Sequence, residues 1–196
     1  MKPLHSISIF CGSSTGNNSK FAKDAHTLGT YLAKRSIQVI YGGAKVGLMG
    51  TVADAVLQNQ GKVIGVMPVF LQSKEIAHDG LTELKIVQTM HERKTVMDEL
   101  SDGAIVLPGG FGTLDEMFEL LTWGQLGLHK KPIAILNTDG FYDELVACLD
   151  KMVTSNLLRV SNRKMLIVSQ NIEEMIRLME EYEAPLKAKW MDVAGI

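Results

Sequence analysis

Residues 104–121 have the sequence AIVLPGGFGTLDEMFELL, and this stretch contains the pattern that decides the fold. Its first four residues are apolar and β-rich, which is typical of a strand buried on both faces of a sheet. A glycine turn at residues 108–113 follows at once, and an amphipathic helix is predicted from Thr113 onward. A buried strand, a glycine turn and a helix in this order indicate one unit of a parallel β–α sheet.

The same order repeats along the whole chain. Short apolar runs predict strands at residues 7–10, 38–41, 62–66, 84–87, 104–107, 133–136 and 166–168. Amphipathic stretches predict helices at residues 18–35, 48–60, 91–100, 113–126, 141–154 and 171–182. Because β–α–β crossovers are right-handed, this order predicts an α/β fold with a doubly wound, mostly parallel, Rossmann-like sheet of about seven strands and helices on both faces. No linker or repeat interrupts the order, so residues 1–196 are predicted to form a single domain.

The composition excludes several classes of protein. Of 196 residues, 46% are hydrophobic and 21% are charged, which excludes overall disorder and coiled coil. Lys and Arg number 20 against 22 Asp and Glu, so no binding of a nucleic acid polymer is expected. Cys11 and Cys148 lie far apart, which predicts free thiols in the cytoplasm and no zinc site. No signal peptide or membrane-spanning run is present, so no membrane partner is expected.

Glycine turns follow the first, second and fifth predicted strands, at residues 11–14, 42–50 and 108–113. The carboxyl ends of parallel strands lie at one edge of a sheet, where helix N-termini offer free amides to anions. A phosphorylated small molecule is therefore the expected ligand, and Gly12, Ser13 and Gly43 are candidate phosphate or ribose contacts. The turns match neither G-x-G-x-x-G nor G-x-x-x-x-G-K-[ST], which disfavours NAD and ATP as ligands.

Charged residues stand beside two predicted helix starts, one after the fourth strand and one after the fifth. Arg93 and Lys94 follow the fourth strand, where a guanidinium suits bidentate contact with phosphate and an ammonium acts as a point charge. Asp115 and Glu116 follow the third glycine turn, where Asp115 is the expected complement to the helix dipole. Glu116 is the better catalytic candidate, since a carboxylate beside an arginine can activate water or stabilise positive charge on a ribose.

These residues resemble the motifs of a known family. The segment PGGFGTLDE at residues 108–116 resembles the PGGxGTxxE signature of the cytokinin riboside 5′-monophosphate phosphoribohydrolases, and MHERK at residues 90–94 resembles their M-x-x-R-K element. The likeness extends through CGSS at residues 11–14, YGGAKVGLMG at 41–50 and TWGQLG at 122–127.

The resemblance implies hydrolysis of the N-glycosidic bond of an adenine-type nucleoside 5′-monophosphate. It implies that Arg93 and Glu116 are the catalytic pair, with no redox cofactor and no required metal, in a homodimer. The substrate contacts that it implies, besides that pair, are Glu75, Lys94, Gly109, Gly110, Phe111, Gly112, Thr113, Leu114, Asp115 and Thr122.

Two other interpretations stay open at this point. Members of the family have been labelled lysine decarboxylases, which predicts pyridoxal phosphate on a lysine such as Lys45 or Lys94. A non-catalytic carrier of a nucleotide or phosphorylated cofactor is the second alternative, against which the presence of both Arg93 and Glu116 argues. The preferred base is also open, because AMP and prenylated adenine monophosphates share the parts that these motifs contact.

Overall fold

The structure is a computed structural model that describes residues 2–72 and 77–185. The strands are β1 (Ser6–Phe10), β2 (Gln38–Tyr41), β3 (Val63–Pro68), β4 (Glu83–Val87), β5 (Gly103–Val106), β6 (Ile133–Leu136) and β7 (Leu166–Ser169). The helices are α1 (Ser19–Lys34), α2 (Gly47–Gln58), α3 (Val69–Gln72), α4 (Met90–Glu99), α5 (Phe111–Gln125), α6 (Asp143–Thr154), α7 (Val160–Arg163) and α8 (Ile172–Glu180). A short 3₁₀ turn, Thr138–Gly140, precedes α6.

The strands form one sheet in the order β4-β3-β2-β1-β5-β6-β7, and all of its pairs are parallel. The chain starts in the middle at β1, runs outward to β4, and then returns to β5 on the other side of β1. The direction of winding therefore reverses between β1 and β5, where ligands of such sheets bind. The predicted fold class is confirmed, whereas a single domain over residues 1–196 stays a prediction.

Helices cover both faces of the sheet because successive strand residues point to opposite sides. Ile7 and Ile9 of β1 belong to one core, together with residues of α1, α2 and α8. Phe10 belongs to the other core, to which α4, α5 and α6 contribute Met97, Met117 and Leu149. Every residue of β3, β5 and β6 is buried, which accounts for their continuous apolar sequences.

Two helix starts at the carboxyl edge of the sheet have different causes. Helix α4 begins at Met90 because the Thr89 hydroxyl accepts a hydrogen bond of 3.0 Å from the Glu92 amide. Helix α5 begins at Phe111, two residues before the predicted start, and its N-cap residue Gly110 has no side chain to occupy the first amides. Helices α3 and α7 were not predicted, because four residues are too short to show a helical period.

Within the described ranges, the helices are either too short or too polar to span a bilayer. The same ranges contain no cluster of at least three His, Cys, Asp or Glu residues placed to hold a metal ion.

Candidate active site

A cleft of about 290 Å³ opens at the carboxyl ends of β1 and β5, where the winding of the sheet reverses. It is bounded by the turn after β1, by the first turns of α4 and α5, and by Gly42 after β2. Four separate β–α connections thus meet at one place. This is the location that the glycine turns predict.

Arg93 projects from the first turn of α4 into this cleft. Its side chain is only 10% exposed, and its Nε donates a hydrogen bond of 3.0 Å to the Val66 carbonyl within β3. The guanidinium passes so close to Gly42 that a Cβ there would lie 2.1 Å from Nη2. Gly42 therefore lacks a side chain because Arg93 occupies the space, a requirement that the sequence alone does not show.

Glu116 approaches Arg93 from α5, on the other wall of the cleft. Its Oε1 lies 3.4 Å from Nη1 of Arg93, and its side chain is also only 10% exposed. Removing one partner of such a buried pair leaves the other charge in a poorly solvated place. The structure thus brings together the arginine and the carboxylate that the motifs predict, with opposite charges side by side at the cleft wall.

The glycine turn before α5 leaves the helix N-terminus open. Gly109 has no room for a side chain, because an added Cβ would lie 2.1 Å from Oγ1 of Thr113. Gly110 and Gly112 differ, since an added Cβ would meet no atom within 4 Å at either position. Internal packing of the protein does not explain these two glycines, whereas close approach of an anion to the first amides of α5 does.

The turns after β1 and β2 support this wall. The Gly12 amide donates to the Pro108 carbonyl at 3.0 Å, and the Leu48 amide donates to the Gly12 carbonyl at 3.1 Å. Gly12 and Ser13, two of the candidate phosphate or ribose contacts, line the cleft. Gly43 does not line it: its φ is +87°, and an added Cβ would meet Leu84 at 3.2 Å. Gly42, rather than its neighbour Gly43, is the glycine of this turn that lines the cleft.

Apolar groups and one thiol form the floor of the cleft. Cys11 lines it and is only 8% exposed. Burial raises the pKa of the Cys11 thiol well above its ordinary range, the charge of Glu116 raises it further, and Arg93 partly opposes them. The thiol stays protonated at neutral pH and is a poor nucleophile. Met49, Met90 and Met97 also line the cleft, and such flexible side chains adapt to an apolar ligand.

Other predicted site residues lie at different distances from the cleft. Phe111, Thr113 and Asp115 line it, and Phe111 is 96% exposed at its mouth. Leu114 instead packs against the core beneath α5. Thr122 is exposed, donates its hydroxyl hydrogen bond to the Phe118 carbonyl, and borders a separate groove with Gln125 and Leu158. The structure therefore does not bring Thr122 to the cleft in this chain.

Glu75, a further predicted substrate contact, lies outside the described residues. Lys94, next to Arg93, forms ion pairs with Glu119 at 2.7 Å and Asp115 at 3.1 Å. Lys45 pairs with Asp79 at 3.2 Å. Both lysines suggested as Schiff-base amines are therefore paired with carboxylates.

The sheet and the cleft at its winding reversal define the class: a Rossmann-like α/β protein whose cleft holds a buried arginine–glutamate pair beside an open helix N-terminus. Solved structures share this fold, among them two proteins that concern the molybdenum cofactor. The molybdenum cofactor binding protein of Rippkaea orientalis is 23% identical with a TM-score of 0.66, covering 92% of this chain and 97% of that one. The molybdenum cofactor carrier protein of Chlamydomonas reinhardtii is 18% identical with a TM-score of 0.68, covering 92% and 98%.

Sequence relatives identify the family. Residues 49–179 match a family model described as "Possible lysine decarboxylase". A probable cytokinin riboside 5′-monophosphate phosphoribohydrolase of Oryza sativa subsp. japonica is 44% identical over 90% of this chain and 79% of that protein. A cytokinin riboside 5′-monophosphate phosphoribohydrolase of Arabidopsis thaliana is 42% identical over 90% of this chain and 82% of that protein. The chain belongs to the family of cytokinin riboside 5′-monophosphate phosphoribohydrolases, which confirms the resemblance of its motifs.

Proposed function

We propose that this protein hydrolyses the N-glycosidic bond of adenine-type nucleoside 5′-monophosphates and releases the free base and ribose 5-phosphate. The observation that carries the proposal is the buried pair of Arg93 and Glu116, 3.4 Å apart, beside an open helix N-terminus in the same cleft. The names of the relatives support the same reaction.

The 5′-phosphate binds at the start of α5. The amides of the first helical turn have no intrahelical acceptors, and the glycines at positions 110 and 112 let a phosphate reach them. Ser13 lines the same cleft and offers a hydroxyl as a further donor to the phosphate. A single phosphate held in this way needs no broad positive surface, in keeping with the net charge of −2.

The reaction adds water across the bond between ribose C1′ and the base nitrogen. As this bond breaks, its electron pair leaves with the base and positive charge develops on the ribose. The Glu116 carboxylate stabilises that charge, orients water toward C1′ and accepts a proton from it, while the base gains a proton. Arg93 holds Glu116 in place and neutralises anionic groups of the sugar phosphate. No covalent intermediate with the protein is needed.

The base lies against the methionines of the cleft. Met49, Met90 and Met97 offer a polarisable surface that fits a purine, and their flexibility suits an N6 substituent such as an isopentenyl group. We therefore expect both AMP and isopentenyladenosine monophosphate to enter the cleft. The phosphate and ribose contacts are common to both substrates, so the preference between them depends on this surface.

The test is a comparison of base release from AMP, GMP, CMP and isopentenyladenosine monophosphate, followed chromatographically. The proposal expects release from one or both adenine-type substrates and none from adenosine, which lacks the phosphate. Binding of these nucleotides without release of any base would favour a carrier. Release of carbon dioxide from lysine in the presence of pyridoxal phosphate would favour a decarboxylase.

We also propose that the protein is a homodimer in the cytoplasm. Leu128, which follows α5, and Leu157 and Val160, which lie next to and within α7, are 71%, 82% and 57% exposed. Exposed apolar side chains of this kind are typical of a protein interface. Light scattering coupled to gel filtration distinguishes a dimer from a monomer.

A further inference from the structure

The ammonium of Lys94 lies between two carboxylates of another helix. Its Nζ is 2.7 Å from Oε2 of Glu119 and 3.1 Å from Oδ2 of Asp115, both on α5. The Lys94 side chain is 14% exposed and that of Glu119 is 21% exposed, whereas that of Asp115 is 63% exposed. The pair of Lys94 and Glu119 is thus the better protected of the two and joins α4 to α5.

Lys94 keeps its charge in this position. Burial alone would lower its pKa, but the hydrogen bonds to Glu119 and Asp115 outweigh burial and raise the pKa above its usual range. An ammonium has three hydrogen atoms to donate; one bonds to Asp115, and the Glu119 carboxylate lies within ion-pair distance of the same nitrogen. Lys94 is therefore poorly placed to give its charge to a substrate phosphate.

The same two helices carry the proposed catalytic pair. Arg93 is the neighbour of Lys94 on α4, and Glu116 lies one turn before Glu119 on α5. Helix α4 follows β4 at one edge of the sheet, whereas α5 follows β5 on the far side of β1. The distance between Arg93 and Glu116 therefore depends on how α4 and α5 are held together across the cleft.

We propose that Glu119 is a positioning residue: through Lys94 it fixes α4 against α5 and thereby keeps the Arg93 guanidinium beside Glu116. The inference rests on the proposed function for its effect on turnover. It also assigns Lys94 a role different from the substrate contact that the family resemblance implies. Displacement of a reacting group by about 1 Å costs on the order of 100-fold in rate, so a loosened contact between these helices lowers kcat.

The test uses Glu119→Gln, Lys94→Met and the double variant, with kcat, KM and the Kd of ribose 5-phosphate measured for each. Each single variant should lower kcat by about 10- to 100-fold, with KM and Kd within about twofold of wild type. The double variant should be no slower than the slower single variant, because both changes remove the same contact. Glu181→Gln, in an exposed pair with Arg177 on α8, is the matched control and should leave kcat unchanged.

A second measurement separates this inference from the proposed function. The Nε–H of Arg93 donates to Val66 in a buried position, so its exchange with solvent, followed by NMR, reports whether the guanidinium stays in place. Exchange should accelerate at least about tenfold in both single variants and not in the control. If the wild-type protein releases no base, the proposed hydrolase activity is wrong. The exchange rate of the Arg93 Nε–H in the variants would still show whether Glu119 and Lys94 hold the guanidinium in place.

Three results would overturn the inference. The first is unchanged Arg93 exchange in both single variants. The second is a large rise in KM and in the Kd of ribose 5-phosphate with kcat unchanged in Lys94→Met, which would make Lys94 a direct phosphate ligand. The third is an additive loss of kcat in the double variant, which would mean that the two residues act independently.

Discussion

Replacing Gly42 by alanine tests whether the position of Arg93 matters for turnover. The new Cβ would lie 2.1 Å from Nη2 of Arg93 and 3.0 Å from the Met49 sulfur. The nearest atom is the far end of a flexible side chain and not part of the backbone. The guanidinium is therefore expected to move while the surrounding strands stay in place.

The expected magnitude follows from that distance. Contact between the new Cβ and Nη2 becomes tolerable beyond about 3 Å, so the guanidinium must shift by about 1 Å away from residue 42 and out of its observed position beside Glu116. A shift of this size in a reacting group costs on the order of 100-fold in kcat. A weakened hydrogen bond from Arg93 to Val66 costs about 1 kcal/mol, which lowers Tm by only about 2–4 °C in a domain of this size.

The assay combines base release with thermal unfolding. Gly80→Ala is the matched control, because its Cβ would meet no atom closer than 3.3 Å and it lies away from the cleft. Gly42→Ala should lose turnover while its Tm stays close to that of the wild type. Gly80→Ala should keep both the turnover and the Tm of the wild type. Full turnover in Gly42→Ala would show that the observed position of the Arg93 guanidinium is not required for catalysis.

Further predictions concern the phosphate site, the thiols and one buried hydroxyl. Gly112→Ala should leave the fold as stable as wild type or up to about 1 kcal/mol more stable. The new methyl group should weaken an amide contact to the phosphate and raise KM about tenfold or more. A KM equal to that of the wild type would argue against phosphate binding at α5. Iodoacetamide at pH 8 should label the exposed Cys148 and not the buried Cys11 of native protein, as read by mass spectrometry. Because folding raises the pKa of Cys11 above its ordinary value of 9.0, stability should fall as pH rises beyond about 9, and Cys11→Ala should reduce that fall in denaturant titrations. Tyr142→Phe removes a 2.8 Å hydrogen bond to the Leu107 carbonyl and should cost about 1–3 kcal/mol of unfolding free energy; an unchanged Tm would contradict this.

Much of the fold was predictable because its signals are local. The strand at residues 133–136 was predicted with its observed bounds, since four buried apolar residues between polar segments leave little choice. The parallel direction of most strands and the helices on both faces followed from the β–α rhythm and the handedness of crossovers. The start of α5 was missed by two residues, because Phe111 and Gly112 have low helix propensity and the helix is set there by the turn that precedes it.

The site was predictable only where a motif marks it. Arg93 and Glu116 stand in segments whose residues point to anion binding, and the structure places them 3.4 Å apart. The sequence alone does not show that position 42 must be a glycine, because the side chain that fills the space there belongs to Arg93, 51 positions later in the chain. The pairing of Lys94 with Glu119 was likewise hidden, since it depends on the approach of two helices from different parts of the sheet.

The central claim is that the cleft hydrolyses the glycosidic bond with Glu116 as the group that acts on water and the ribose cation. The most direct test measures base release and nucleotide binding for wild-type protein and Glu116→Gln. The account predicts equal amounts of free adenine base and ribose 5-phosphate from wild type. It predicts that Glu116→Gln still binds the nucleotide but loses about 100-fold or more in kcat. Wild-type turnover in Glu116→Gln would contradict it.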